Sequence, residues 1–90
     1  MGVAAVKIKI MPASPETDLK KLEANVKEVL EKNSIQNPQF EIQPIAFGLK
    51  AIITMFGWPE EKDLDPLEEE MKKIPEVNSI DVIDIRRAIG

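Results

Sequence analysis

Apolar and charged residues alternate near the start of the chain, where Val6, Ile8 and Ile10 fall between Lys7, Lys9 and Met11. A period of two describes a strand with one apolar face and one polar face. Pro12 and the Ala13-Ser14-Pro15 stretch end it. From Asp18 the period becomes helical, placing Leu19, Leu22, Val26, Val29 and Leu30 on one side. Thr17 or Asp18 offers a side-chain acceptor to the first free amides. Asn33-Ser34 stops the helix, and Pro38 prevents its resumption.

Phe40 and Ile42 alternate with Glu41 and Gln43 in a second strand. Pro44 has no N–H for a sheet ladder, so this strand lies at an edge or ends its pairing there. Leu49 to Phe56 is apolar at nearly every position except Lys50 and Thr54, which suits a central strand. Its expected buried row is Leu49, Ala51, Ile53 and Met55, and Gly57-Trp58-Pro59 is expected to break it. Asp65-Pro66-Leu67-Glu68 then reads as a helix start: Asp65 caps, Pro66 takes the first position and Glu68 reaches back. Leu64, Leu67, Met71 and Ile74 form the apolar stripe, and Pro75 closes it. The last strand, Val77 to Arg87, slips phase, with Ile80 and Val82 on one parity and Ile83 and Ile85 on the other. A bulge, or a strand buried on both sides for part of its length, explains such a slip.

The order is strand, helix, strand, strand, helix, strand. Two βαβ crossovers sharing one sheet give an α+β, ferredoxin-like split β-α-β sandwich, βαββαβ. Its antiparallel strands take the order 4-1-3-2, with both helices on one face. The other face is expected to be open, carrying Lys7, Lys9, Lys50 and Thr54. Ninety residues suffice for one such domain, 1–90, and no more.

Composition narrows the chemistry. Cysteine, histidine and tyrosine are all absent. Disulfides, thiolate zinc sites, Ser-His triads and imidazole acid–base chemistry go with them. A net charge of −4 argues against a nucleic-acid partner. Glu60, Glu61, Asp63, Asp65, Glu68, Glu69 and Glu70, opposed in that window only by Lys62, read as a solvated helix face rather than a metal site. No apolar run approaches the ~18 residues of a membrane span. The opening Met1-Gly2-Val3-Ala4 lacks a basic n-region with a cleavage site, so a cytosolic protein is expected.

The fold hosts many functions, so function must come from a site. A metal chaperone needs Cys-x-x-Cys after the first strand, where this chain has Met11-Pro12-Ala13-Ser14. An acyl phosphatase needs an early Arg, and none precedes Arg86. RNA-recognition domains stack bases on aromatics of the central strands. Phe47-Gly48-Leu49-Lys50 is a fragment of such a pattern, but Val6, Ile8, Leu49 and Ile53 occupy the platform positions. A small RNA-binding module on the open sheet face therefore stays as the alternative, beside a ligand-sensing or scaffolding domain. Phe47 is the oddity, because a large apolar residue beside Gly48 stands where a plain hairpin carries Asn-Gly or Asp-Gly. It either folds back onto the sheet end or is presented to a partner. Trp58, before Pro59, reads as a packing or turn residue.

Pro44-Ile45-Ala46-Phe47-Gly48-Leu49-Lys50, together with Val77-Asn78-Ser79-Ile80-Asp81-Val82 and the short basic tail, resembles the elongation factor 1-beta family. The length and the Met11-Pro12 opening resemble its archaeal branch. The resemblance covers essentially the whole chain. It implies a translation factor that promotes exchange of GDP for GTP on the elongation factor 1-alpha GTPase, with no cofactor, no metal and no catalytic group of its own. It also implies that the hairpin and the C-terminal residues approach the GTPase's nucleotide site, a basic side chain reaching toward the Mg²⁺ position. Transferred to this chain, the contact residues are Ile45, Ala46, Phe47, Gly48 and Lys50 in the hairpin, with Arg86 and Arg87 in the tail. Eukaryotic members carry Lys at the place of Arg87 and stop one residue later, whereas this chain continues through Ala88-Ile89-Gly90. Neither direct nucleic-acid contact nor membrane association is implied.

Overall fold

The computed structural model describes residues 2–87; Met1 and the tail end Ala88-Ile89-Gly90 lie outside the described residues. Strands β1 (Val3–Pro12), β2 (Gln39–Pro44), β3 (Lys50–Pro59) and β4 (Val77–Arg87) alternate with helices α1 (Leu19–Lys32) and α2 (Asp65–Lys72) in the order βαββαβ. One antiparallel sheet has the order β2-β3-β1-β4, the expected arrangement read from the other edge. β1 and β3 are central, and β2, with Pro44 as its last paired residue, is an edge strand.

Both helices pack on one face of the sheet. Leu22, Val26 and Leu30 of α1 and Leu67 and Met71 of α2 join Val6, Ile8, Ile10, Ile52, Phe56 and Trp58 in one core. The stripes read from helical periodicity are therefore the packed ones. α1 begins at Asp18, whose Oδ1 accepts from the amides of Lys20 and Lys21 at 3.1 and 3.2 Å. Of the two expected caps, Thr17 is instead buried in the loop, donating to Glu76 Oε1 at 3.3 Å. The helix ends at Asn33, after which Ser34 takes a left-handed φ of 66°. The Ser34 amide donates to the Glu31 carbonyl and the Ile35 amide to the Leu30 carbonyl. This pair of bonds is a Schellman stop, with Ile35 and Leu30 as its apolar clasp.

The structure departs from the expected pattern in β3 and at the start of α2. The helix-covered row of β3 is Ile52, Thr54, Phe56 and Trp58, opposite in parity to the expected row. Thr54 is consequently buried rather than on the uncovered face, and its Oγ1 has no hydrogen-bond partner. Ala51 and Ile53 are also buried, although they lie on the face without helices. Gln43 and Glu41 of β2 stand opposite them, with Lys9 of β1 on the far side of Ile53. Long polar side chains on neighbouring strands cover apolar surface in this way.

β3 also continues through Gly57-Trp58-Pro59, pairing with Ala5, Ala4 and Val3. A β-carbon on Gly57 would stand 3.0 Å from Val3 Cγ1, so the glycine leaves room for that side chain. The start of α2 differs as well. Its cap position is Leu64, with no side-chain bond, and Asp65 is already helical. Asp63 supplies the acceptor, its Oδ1 taking the Asp65 amide at 3.1 Å. The acceptor that the first turn requires lies two residues earlier than the Asp65-Pro66 pattern suggests.

The phase slip of β4 is a bulge. The ladder to β1 runs Lys7 to Asp84 and then Ile8 to Val82, leaving Ile83 as the extra residue. Trp58 is a core residue as expected, 4 % exposed, its ring edge-on to Phe56 and its indole N–H donating to the Lys62 carbonyl at 3.1 Å.

Candidate functional site

The β2–β3 connection is short and heavily constrained. Ala46, Phe47, Gly48 and Leu49 form a tight turn, with Phe47 and Gly48 at its two central positions, between the last β2–β3 pair, Pro44 and Lys50. The Ile45 amide donates to the Leu49 carbonyl at 2.7 Å, and the Leu49 amide to the Ala46 carbonyl at 3.3 Å. Two consecutive residues take left-handed backbone, Phe47 at φ 62° and Gly48 at φ 77°. Gly48 does so without steric cost. A bulky L-residue there is an outlier, with a cost of about 1–2 kcal/mol. The turn directs Phe47 away from the body of the protein: it is 95 % exposed, more than any other large apolar residue among those described. It does not fold back onto the sheet end.

Around it, Ala46 and Gly48 are exposed, and Ile45 and Leu49 are half-buried. Lys50 is exposed at the first residue of β3. It shares the parity of Ile52 and Thr54, so it belongs to the helix side of the sheet and not to the uncovered face. There it lines a shallow cleft of about 410 Å³ with Pro12, Ser14, Lys20 and Gly48. Lys7 and Lys9 are on the uncovered face as expected, in register with Asp84 and Asp81.

Arg86 and Arg87 are the last two residues of β4 and pair in register with Ala5 and Ala4 of β1. Both are exposed and each meets a carboxylate. Arg86 Nε lies 3.0 Å from Asp84 Oδ2, and Arg87 Nε lies 3.5 Å from Glu60 Oε2. Exposed pairs of this kind hold about 0–1 kcal/mol each, so they constrain the side chains loosely. By sequence Glu60 is one of the solvated acids; its contact with Arg87 has no one-dimensional signal, because it joins the ends of two strands that are not neighbours.

The hairpin and the arginines do not share a rim. Lys50 marks the hairpin end of β3, and Trp58, eight residues later, is level with Ala4 and hence with Arg87. At about 3.4 Å per residue the two ends are about 27 Å apart. The two groups therefore stand at opposite ends of the sheet.

Residues 5–88 match the EF-1 guanine nucleotide exchange domain. The chain belongs to that family. Its relatives include Elongation factor 1-beta of Methanocaldococcus jannaschii, 39 % identical over 98 % of this chain and 100 % of that protein. Elongation factor 1-beta of Methanosarcina barkeri is 41 % identical over 97 % of this chain and 99 % of its own length. The family assignment agrees with the resemblance carried by the hairpin and by the start of β4. Among solved structures, the C-terminal domain of the MgtC protein from Mycobacterium tuberculosis superposes with a TM-score of 0.61 at 13 % identity, covering 98 % of this chain and 88 % of that one. BlrP1 BLUF gives 0.61 at 16 % identity, covering 100 % of this chain and 57 % of its own. These two share the βαββαβ layout with the exchange domain and nothing further follows from them. Among its described residues, no helix of the exchange domain is long and apolar enough to cross a membrane.

Proposed function

We propose that this exchange domain acts in translation, in the cytoplasm, promoting the replacement of GDP by GTP on the elongation factor 1-alpha GTPase. The observation that carries the site is Phe47: an aromatic ring held almost wholly in solvent by a hairpin with two left-handed residues. Such a ring gains stability only when a partner buries it. Full burial of a Phe side chain yields about 1.5–3 kcal/mol, which suits the anchor of a protein contact. Ile45, Ala46, Gly48 and Lys50 complete that contact.

Arg86 and Arg87, on opposite faces of the sheet at the same end of β4, form the second contact. With about 27 Å between them and the hairpin, one nucleotide pocket does not accommodate both, so the two engage separate places on the GTPase. The hairpin and the tail thus approach the GTPase from opposite ends of the sheet. In this reading Arg87 works at the phosphate and Mg²⁺ region, where a cation disturbs the charge balance that retains the diphosphate, and Phe47 supplies binding energy elsewhere. Arg is a planar fork where eukaryotic members carry the compact charge of Lys. No catalytic group is required of the factor. By linkage, a thousandfold weakening of nucleotide binding corresponds to a thousandfold weakening of factor binding by nucleotide, about 4 kcal/mol. Excess GTP then completes the cycle.

Base stacking on the uncovered sheet face has little to support it. Phe40, Phe56 and Trp58 pack with the helix-side core, and Phe47 is at the hairpin, so that face carries no aromatic ring. Its lysines stand in register with aspartates. The deciding experiment is release of fluorescent GDP from the cognate elongation factor 1-alpha with micromolar exchange domain present. Acceleration is expected, and its absence overturns the proposal; salt-sensitive RNA retention in place of exchange points to the RNA alternative.

A further inference from the structure

At the end of the sheet that carries Arg87, three strands finish side by side in the order β3, β1, β4. Glu60 follows β3, Gly2 precedes β1 and Arg87 ends β4. Adjacent strands lie about 4.8 Å apart, so a side chain from the β3 side must cross roughly 10 Å, over the middle strand, to meet one on β4. Glu60 makes that crossing and brings Oε2 to 3.5 Å from Arg87 Nε.

The crossing passes over Gly2. The Glu60 amide donates to the Gly2 carbonyl at 3.0 Å, which extends the β1–β3 ladder by one step and fixes the base of the side chain. A β-carbon on Gly2 would overlap Glu60 Oε1 and stand 2.9 Å from its Cδ. The missing side chain at Gly2 is therefore the gap that the carboxylate occupies. The Glu60 side chain is 28 % exposed, while that of Arg87 is 84 % exposed. One partner is seated and the other is not.

We propose that Glu60 is a positioning residue for Arg87, acting through the gap at Gly2. The inference rests on the exchange reading above, in which Arg87 meets the GTPase. Arg carries five N–H donors in a rigid plane, so an Nε contact with one carboxylate leaves donors for an anion of the partner. Glu60 narrows, loosely as for any exposed pair, the sweep of a long side chain that otherwise loses much of its rotamer freedom on binding. It orients the fork before the partner arrives.

The test compares full-length wild type, Arg87→Ala, Glu60→Gln, Glu60→Asp, Gly2→Ala and their pairwise combinations in the GDP-release assay. The Arg87 Nε–Hε signal, followed by NMR, is the second readout, and thermal unfolding midpoints check that each variant folds. Glu60→Gln removes the charge, Glu60→Asp keeps it but falls one methylene short of the crossing, and Gly2→Ala closes the gap. Each is expected to lower exchange about two- to fivefold, the scale of an exposed ion pair, and to shift the Nε–Hε signal. Combining Gly2→Ala with Glu60→Gln is expected to add nothing, and neither should matter once Arg87 is Ala. If Arg87→Ala impairs exchange while Glu60→Gln and Gly2→Ala leave exchange and the NMR signal unchanged, the positioning role alone falls. Additive losses, or faster exchange by Glu60→Gln, also overturn it. If Arg87→Ala has no effect, the tail contact with the GTPase falls and the positioning role falls with it.

Discussion

Phe47 joins a costly backbone angle to a fully solvated ring, and neither stabilises the isolated domain. Phe47→Ala should therefore change unfolding free energy by no more than about 0.5 kcal/mol, as for other exposed sites, while lowering GDP release severalfold. A large loss of stability in denaturant titration would mean that the ring packs on its own sheet. Thr54 is the reverse case, a hydroxyl sealed in the core with no acceptor or donor facing it. Thr54→Val keeps the shape and removes the unpaired group, so urea unfolding should report a gain of about 1 kcal/mol. At this scale the sequence was half-legible. An aromatic beside a glycine in a hairpin was visible as an oddity, but its left-handed φ was not. Thr54 was placed on the wrong face because polar residues in strands usually mark the solvent side, and here a hydroxyl fills a core position.

Elements were most legible where one face is wet. α1, α2 and β1 each carry a single apolar face, so period alone located their packed residues. β3 lies between β1 and β2 and buries residues of both parities from Ala51 to Thr54. A strand with two apolar rows gives no alternation from which to choose the helix side, and the choice fell on the wrong row. The bulge of β4 was legible because an extra residue necessarily reverses parity. The start of α2 was not, since Asp65-Pro66 and Asp63 offer competing acceptors two residues apart and only the backbone path selects between them. The end of α1 yields a prediction of its own. Ser34 holds the left-handed position of a Schellman stop that glycine normally fills. Ser34→Gly should raise stability by about 0.5–1 kcal/mol, from relief of that angle less the extra freedom of the unfolded chain. A lower thermal midpoint would show that the Ser34 side chain contributes something its geometry does not reveal.

For the whole molecule, strand order and helix placement followed from the order of elements, and the family from a seven-residue hairpin plus the start of β4. The same topology leaves open whether the hairpin and the tail share a rim, and the register of β1 with β3 and β4 separates them. Sites so far apart with no shared partners act independently. The logarithms of the exchange losses in Phe47→Ala and Arg87→Ala should therefore add within about 0.5 kcal/mol in the double variant. The two should also part company in salt: the Arg87 contribution shrinks between low and physiological ionic strength as screening shortens, while that of Phe47 persists. Strong non-additivity, or a common salt response, would place both residues in a single contact.

Trp58 gives this separation an optical consequence. It is the protein's sole tryptophan, tyrosine is absent, and it sits level with Ala4 and Arg87, beneath the Lys62 ammonium at 4.9 Å. The intrinsic ultraviolet emission of the chain is thus a lamp mounted at one pole. A molecule docking near the arginines that disturbs Lys62 is expected to alter the indole's colour or brightness, whereas one that grips only the hairpin is expected to leave the light as it was. With a tryptophan-free partner, the order in which the two poles are occupied becomes visible in stopped flow without any attached dye.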